Sequence, residues 1–451
     1  MQSTPRHLAI KILCRRQDSG NPVDQIMDQL VSDRLCCAQD RQLVMAIVYG
    51  VLRHQRYLDF LLARVSRHPL TRMKPMTLQA LRVGLFQLVF MDRIPPPAAV
   101  NETIKALHAA RQPKWLVGFV NGLLRTLAGT PGLSATPWNN PDIAPAIAHS
   151  HPDWLFERWH GRFGRQKTIA LCLHNNSRPI LSLAINNRRI SRDDFLALAR
   201  DAGIVAQAGT LAPDAVLLPH FSGPISQVPG YSQGLFNVQD EGAQLIVPLL
   251  APFPVGHYLD ACAGVGGKTI QLAQLVSAGS QITAIEPNAS RFALLRENID
   301  RMKPAAAITS HNSTLADFAS SCEDRFAAVL VDAPCSGLGV IRRQPDIRWN
   351  RSPNDLHRYH HEQLDLLHTA ASLVAPGGTL LYATCSSEPE ENNEVATSFL
   401  RLHPDFSTAP TEELAQYLKN FINEHGLFEL LPGNGHDGFF AALFKRKILE
   451  A

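Results

Sequence analysis

Of the eight cysteines in this 451-residue chain, Cys335 and Cys385 sit where chemistry is done rather than where a core is filled. Phe326–Val331 reads as a buried strand running into Asp332-Ala333-Pro334-Cys335-Ser336-Gly337, and Thr379–Ala383 reads as another running into Thr384-Cys385-Ser386. Upstream, the short strand His257–Asp260 leads into Ala261-Cys262-Ala263-Gly264-Val265-Gly266-Gly267-Lys268-Thr269, with a helix, Ile270–Val276, behind it. A further strand, Gln281–Ile285, ends in Glu286, nineteen residues after Gly267. In a doubly wound sheet ligands gather at the carboxyl ends of the strands, so these four features share one edge. Adjacent strands lie ~4.8 Å apart, which lets both thiols surround a single substrate.

Glycines between a strand and a helix let a ligand approach the backbone, and the helix start offers unpaired N–H groups. An acid closing the next strand can hold both hydroxyls of a ribose, which points to an adenosine-type cofactor. The turn matches neither G-x-G-x-x-G nor G-x-x-x-x-G-K-[ST], so S-adenosylmethionine fits better than a nicotinamide or a nucleoside triphosphate. Two thiols beside such a site suit methylation at carbon 5 of a pyrimidine. That carbon is a poor nucleophile until a thiolate adds at carbon 6. An acid at the ring edge, here Asp332, can hydrogen-bond N3 and the exocyclic amine of the adduct.

The elements that must position these residues fall into stretches of different character. Residues 1–130 read as a helical bundle. Its apolar stripe runs Leu43/Val44, Ile47/Val48, Val51/Leu52, Leu58 and Leu61/Leu62. A second helix is marked by Leu78, Leu81, Leu85 and Leu88, and a third runs from Trp115 to Leu127. Residues 131–149, rich in Pro, Gly, Ser and Asn, read as a linker. Residues 150–234 read as a small α+β module beginning with a helix at Trp154–Phe163, and residues 235–451 as an α/β domain.

The net charge of +3 hides a split: residues 1–150 hold 18 Lys/Arg against 9 Asp/Glu, and residues 231–451 hold 16 against 25. A basic front half suggests a grip on a polyanion, with Arg53, His54, Arg56, Arg64, Arg67, Arg72 and Lys74 as a phosphate-contacting face. With 45% hydrophobic and 18% charged residues the composition excludes a disordered or fibrous chain. No apolar run reaches a bilayer-spanning length and no signal-peptide core opens the chain, so a soluble, cytoplasmic protein is expected. The cysteines form no CxxC pair; neither a zinc site nor a disulfide framework is expected, and most of them should be buried thiols.

Several of these stretches resemble the bacterial RNA cytosine-5 methyltransferases, above all the ribosomal RNA small-subunit methyltransferase B family. The resemblance rests on Val238-Gln239-Asp240, Asp260–Thr269, Asp332–Gly337, Ile341–Trp349, Tyr382–Ser386 with Pro389-Glu390-Glu391-Asn392, and Asp437-Gly438-Phe439-Phe440. In the front half Arg93-Ile94-Pro95, Ala98–Glu102 and Phe119–Arg125 resemble a NusB-like domain. The fold so implied is an all-α NusB-like N-terminal bundle, a small α+β linker module, and a C-terminal α/β Rossmann-like class I methyltransferase domain. The resemblance makes Cys385 the nucleophile and Cys335 the thiol that helps release product. It gives Cys262, Ala263, Gly264, Val265, Gly266, Gly267, Lys268, Glu286, Asn312 and Asp332 to S-adenosylmethionine, and puts Lys268 between cofactor and target base. The implied partner is 16S rRNA, naked or partly assembled, met by a monomer that needs neither membrane nor DNA. Two positions depart from the family pattern: Gly264-Val265 stand for Ala-Pro, and His311-Asn312 stand for Gly-Asp.

Arg342, Arg343, Arg348 and Trp349, just past the Cys335 loop, are candidates for gripping an RNA strand. His357, His361 and Asp365 share a helix face with metal-ligand spacing, but the chemistry needs no metal and none is expected. Three other readings remain open. One is an RNA-binding, antitermination-like protein with an inactive methyltransferase half, and another is the same reaction on a different RNA, such as tRNA. The third is a DNA cytosine methyltransferase, in which the Pro-Cys thiol, Cys335, would be the nucleophile.

Overall fold

The computed structural model describes residues 4–31, 37–130, 133 and 136–448. Cys36 and residues 131–132 and 134–135 of the expected linker lie outside the described residues. The chain divides into two compact units, one of Met1–Arg178 with Ile341–Arg351 and the other of Pro179–Val340 with Ser352–Ala451.

The first unit is helical. Thr4 caps helix Pro5–Ser19 by accepting from His7 N, and Gly20 ends it in the left-handed region (φ 66°). The expected stripe falls on helix Ala38–Val65, whose Val44, Ile47, Val48, Val51, Leu52, Leu58 and Leu62 are buried in one core with Leu81 and Leu85 of helix Pro75–Phe90. Two glycines set how closely these helices cross: a Cβ on Gly50 would meet the Phe86 ring at 2.0 Å, and one on Gly84 would meet Leu124 at 2.5 Å. Helices Pro96–Ala109 and Lys114–Ala128 complete the bundle.

Two segments assigned elsewhere by the sequence belong to this unit. Helix Asp153–Asn176, with which the sequence opens the small α+β module, is broken at Gly164 (φ 74°, ψ 170°), and its contacts group it with this unit. Ile341–Arg351 joins it as well. Arg348 is fully buried and donates to Ser150 O (3.1 Å), Asn175 O (3.1 Å) and Asn176 Oδ1 (2.7 Å). Burial and the neighbouring Arg53 push Arg348 down to about 9, which leaves it charged at neutral pH. Arg342 is buried, and its carbonyl accepts from Arg53 Nη2 (3.2 Å); Trp349 Nε1 donates to Leu52 O (2.7 Å). Asp346 accepts from Val23 N (3.1 Å) and, through its carbonyl, from Arg16 Nη2 (3.1 Å). The expectation that Arg342, Arg348 and Trp349 grip RNA is therefore corrected: Arg342 and Arg348 are buried, the Nη atoms of Arg348 bond within the protein, and the indole N–H of Trp349 is held by Leu52. Arg343 is half-buried.

The expected phosphate-contacting face divides in the same way. Arg53 is buried, Arg56 pairs with Asp153 (2.6 Å), and His54 stacks on Phe90 with ring centroids 4.0 Å apart. Arg64, Arg67, Arg72 and Lys74 are exposed.

The second unit holds two sheets. Its strands are β1 (Leu181–Ile185), β2 (Gln207–Ala208), β3 (Ala215–Leu218), β4 (Phe236–Val238), β5 (His257–Asp260), β6 (Gln281–Ile285), β7 (Ala307–His311), β8 (Phe326–Asp332), β9 (Val374–Thr384), β10 (Phe406–Thr408), β11 (Phe428–Leu430) and β12 (Phe439–Arg446). The small antiparallel sheet, β2-β3-β1-β4, packs Leu183, Ile185, Val216 and Phe236 against Phe195 and Ala199 of helix Arg192–Asp201. The large sheet runs β10-β12-β9-β8-β5-β6-β7, with β11 paired to β12. Strands β5 to β9 are parallel and β12 is antiparallel to β9. Helix Pro353–Leu373 covers one face through Leu367, Ala370 and Ala371, while Leu272 and Ala273 of helix Gly267–Leu275 join the core on the other. Strand order reverses between β5 and β8, which opens a crevice at their carboxyl ends.

Among the described residues no helix is long and apolar enough to cross a membrane. Of the remaining cysteines Cys172 is buried, Cys14, Cys262 and Cys322 are half-buried, and Cys37 is exposed, so burial is less general than expected.

Candidate active site

The crevice is built first from β5. Its last residue, Asp260, is buried and accepts from Thr269 Oγ1 (2.7 Å) and Cys262 N (3.4 Å). Burial pushes the Asp260 carboxyl up to about 6. Ala263 N bonds Ile285 O (2.9 Å), which stitches the turn to the end of β6. Gly264 and Gly266 are left-handed (φ 57° and 93°), and a Cβ on Gly266 would meet Leu295 at 2.7 Å. Val265, between them, is exposed, and its carbonyl accepts from Asn298 Nδ2 (3.0 Å), so the turn is pinned without the proline. Helix Gly267–Leu275 starts here with no side chain capping its first N–H groups.

At the ends of β6 and β7 stand Glu286 and Asn312. Glu286 is buried, and its Oε1 accepts from Asn288 N (2.7 Å). Asn312 Nδ2 donates to Glu286 O (2.8 Å) and Pro287 O (3.1 Å), using its amide to fix the loop that carries the acid.

The reactive end lies past β8 and β9. Cys335 Sγ and Cys385 Sγ are 3.2 Å apart. The hydrogen bond to Cys385, and then burial, hold the Cys335 thiol well above its usual range. Lys268 Nζ donates to Asp332 Oδ2 (2.6 Å) and sits 5.5 Å from the centroid of the Phe439 ring. Burial alone would pull the Lys268 ammonium down, but Asp332 and the Cys385 sulfur raise it instead.

Backbone contacts lock three loops around the thiols. Gly339 N donates to Cys385 O (2.9 Å) and Gly438 N to Gly339 O (2.8 Å), and a Cβ on Gly339 would lie 2.6 Å from Gly438 O. Asp240 Oδ1 accepts from Gly242 N (2.9 Å) and Asp437 N (3.1 Å), tying the Val238–Asp240 stretch to the Asp437–Phe440 stretch.

The structure thus brings Cys262–Lys268, Glu286, Asn312, Asp332, Cys335 and Cys385 to one sheet edge, as the sequence predicts. Arg342, Arg348 and Trp349 belong to the helical unit. Among the described residues no three or more His, Cys, Asp or Glu side chains converge on a metal position, and His357, His361 and Asp365 are exposed. Sequence reasoning missed the roles of Glu391, Gln363, Ser336, Ser386 and Phe439. A serine directly after each cysteine was the visible signal that one acceptor could serve both loops.

Three family models match successive stretches of the chain: the NusB family over residues 3–129, the ferredoxin-like domain of RsmF/B-like methyltransferases over 151–223, and 16S rRNA methyltransferase RsmB/F over 247–445. Ribosomal RNA small subunit methyltransferase B of Pseudomonas putida is 36% identical over 90% of both chains. The protein of the same name from Escherichia coli is 33% identical over 99% of both. Among solved structures, the crystal structure of PH0851 superposes with a TM-score of 0.80 at 21% identity, covering 99% of this chain and 100% of its own. A methyltransferase homolog protein from Pyrococcus horikoshii gives 0.56 at 24% identity over 67% of this chain and 97% of its own. Those two likenesses bear on the fold, while the sequence relatives decide the family. With motifs, fold order and near full-length identity in agreement, this chain belongs to the RsmB/F family of 16S rRNA methyltransferases.

Proposed function

We propose that the protein transfers a methyl group to carbon 5 of a cytosine in small-subunit rRNA, with Cys385 adding to carbon 6 of the base. The observation that carries this reading is the pair of thiols 3.2 Å apart beside the Lys268–Asp332 ion pair. The glycine turn fits S-adenosylmethionine: a Cβ on Gly264 would meet nothing within 4 Å, and the helix behind the turn presents free N–H groups. Cys262–Lys268 would cradle it, Glu286 would take the ribose hydroxyls, and Asn312 would face the adenine edge. When bound, S-adenosylmethionine supplies an electrophilic methyl group on a positively charged sulfur.

The chain's own residues do the rest. Cys385 Sγ forms a bond to carbon 6 and drives the electron pair to carbon 5, which takes the methyl group. Asp332, oriented by Lys268, bonds the ring edge of the adduct. Its pairing with Lys268 also places a cation beside the sulfur that regains negative charge when the carbon–sulfur bond breaks. A solvent base takes the proton from carbon 5, the electron pair of that carbon–hydrogen bond re-forms the ring double bond, and the carbon–sulfur bond breaks so that Cys385 departs as thiolate. Cys335 lies within contact of that sulfur and assists its release. The 3.2 Å contact between the sulfurs suits either order of roles, and the choice of Cys385 as the attacking group follows the family resemblance of its Thr-Cys motif.

The test is methyl transfer from labelled S-adenosylmethionine to unmodified small-subunit rRNA, with 5-methylcytosine mapped in the product. Cys385→Ala is expected to lose all turnover, and Cys335→Ala to accumulate protein covalently bound to RNA on denaturing gels. Activity retained by Cys385→Ala, with no adduct from Cys335→Ala, overturns the assignment. No transfer by the wild-type chain to any rRNA favours the binding-protein reading, and transfer to tRNA alone favours another RNA substrate.

A further inference from the structure

Glu391 has no part in the chemistry just described, yet it is fully buried and its carboxylate meets both cysteine loops. Oε1 accepts from Ser336 N (2.7 Å) and Gln363 Nε2 (3.2 Å), and Oε2 accepts from Ser336 Oγ and Ser386 Oγ (2.5 Å each). These four donors match the four acceptor sites of an ionised carboxylate. Gln363 also donates to Pro334 O (3.0 Å), so the residues on both sides of Cys335 are tied to one centre. Next to Glu391, Asn392 repeats the arrangement for Cys385, accepting from Thr384 Oγ1 (2.7 Å) and donating to Ser386 O (3.0 Å). Tyr382 OH holds Glu391 O (2.6 Å), which fixes the acid to β9 itself.

A buried carboxylate costs several kcal/mol unless its hydrogen bonds are complete. A hydrophobic residue would fill the same space without that cost, so packing does not explain an acid here. What the acid adds is a rigid link between two loops that leave different strands and must present two sulfurs to one carbon–carbon bond. We propose that Glu391 is a positioning residue that sets the separation and aim of Cys335 and Cys385 by binding the serine that follows each. The proposal rests on the two-thiol reading above.

Its negative charge has a second consequence. After the hydrogen bond to Cys385, burial and the charge of Cys385, the Glu391 carboxylate also raises the Cys335 thiol. A neutral residue at 391 would let Cys335 ionise at lower pH, whereas a loss of folded protein would lower the amplitude of a pH–rate profile without moving its limbs.

The experiment compares wild type, Glu391→Gln and the double variant Ser336→Ala/Ser386→Ala in the full-length chain. Readouts are kcat and KM for rRNA, S-adenosylmethionine affinity by direct titration, and the pH–rate profile. Glu391→Gln is expected to bind S-adenosylmethionine within about 2-fold of wild type while kcat falls about 10- to 100-fold, since small misplacements of reacting groups cost that much. The limb of the profile governed by Cys335 moves to lower pH. The double variant keeps the charge but loses two donors, so its kcat falls and its limb stays. Wild-type kcat with an unmoved limb in Glu391→Gln overturns the proposal. If Glu391→Gln does not fold, the double variant decides alone: lowered kcat upholds the linkage, and wild-type kcat refutes it. Cys385→Ala, run in parallel, separates the two levels: activity in that variant refutes the thiol assignment, whatever Glu391 does.

Discussion

Residues 341–351 and residues 64–74 of the helical unit each carry four basic side chains in eleven positions, and both read as polyanion-binding stretches. Their surroundings are opposite. In 341–351 the arginines alternate with Ile341 and Ile347, which are buried and draw the backbone inward. Arg348 then finds the Asn175 carbonyl and the Asn176 side-chain oxygen at the end of helix Asp153–Asn176, where the negative end of the helix dipole favours a cation. In 64–74 the chain leaves helix Ala38–Val65 through Ser66 and Pro69, buries no side chain, and leaves Arg64, Arg67, Arg72 and Lys74 in solvent. Charge composition therefore marks where cations are, and the supply of apolar neighbours and carbonyl acceptors decides whether they face inward.

The sharpest way to break this contrast is Arg348→Met. The substitution fills much of the volume but leaves Ser150 O, Asn175 O and Asn176 Oδ1 without their donor. A loss of about 3–5 kcal/mol is expected, read from urea unfolding of the full chain. A change below about 1 kcal/mol would mean that Arg348 is solvated in solution and open to RNA after all. Trp349→Phe tests the same segment more gently. It keeps an aromatic ring but removes the bond to Leu52 O, and about 1 kcal/mol is expected in the same measurement. An unchanged midpoint would show that the indole N–H contributes nothing there.

What the sequence made legible follows the same division between local and distant causes. The stripe of helix Ala38–Val65, the strands ending at Asp332 and Thr384, and the glycine turn are all written in neighbouring residues. So is the meeting of those strands and that turn at one sheet edge, because an alternating strand–helix pattern leaves few ways to wind a parallel sheet. The placement of 341–351 was not legible, since its partners Arg16, Leu52 and Ser150 lie some two to three hundred residues away and nothing in the local pattern names them. Helix Asp153–Asn176 was legible only in its first half, Trp154–Phe163, because Gly164 (φ 74°) interrupts the pattern, and its contacts with the helical unit depend on distant residues. Glu391 was visible as part of a motif but not as a link between loops, because its bonds depend on Ser336, fifty-five residues earlier.

The exposed half of the comparison has the smallest expected effect on stability and a distinct effect on binding. Replacing Arg64, Arg67, Arg72 and Lys74 together by Gln removes no buried side chain and, of the ring contacts, the exposed one of Arg64 over Phe60 (5.6 Å), so unfolding should shift by less than about 0.5 kcal/mol per site. If this stretch contacts phosphates, each lost contact removes about 0.7–0.9 from the slope of log affinity against log salt. Titrating small-subunit rRNA at several salt concentrations reads that slope directly. A quadruple variant whose slope falls by about 3 assigns the basic surplus of the front half to these four side chains. An unchanged slope places the RNA grip elsewhere, and not on the buried Arg342 and Arg348.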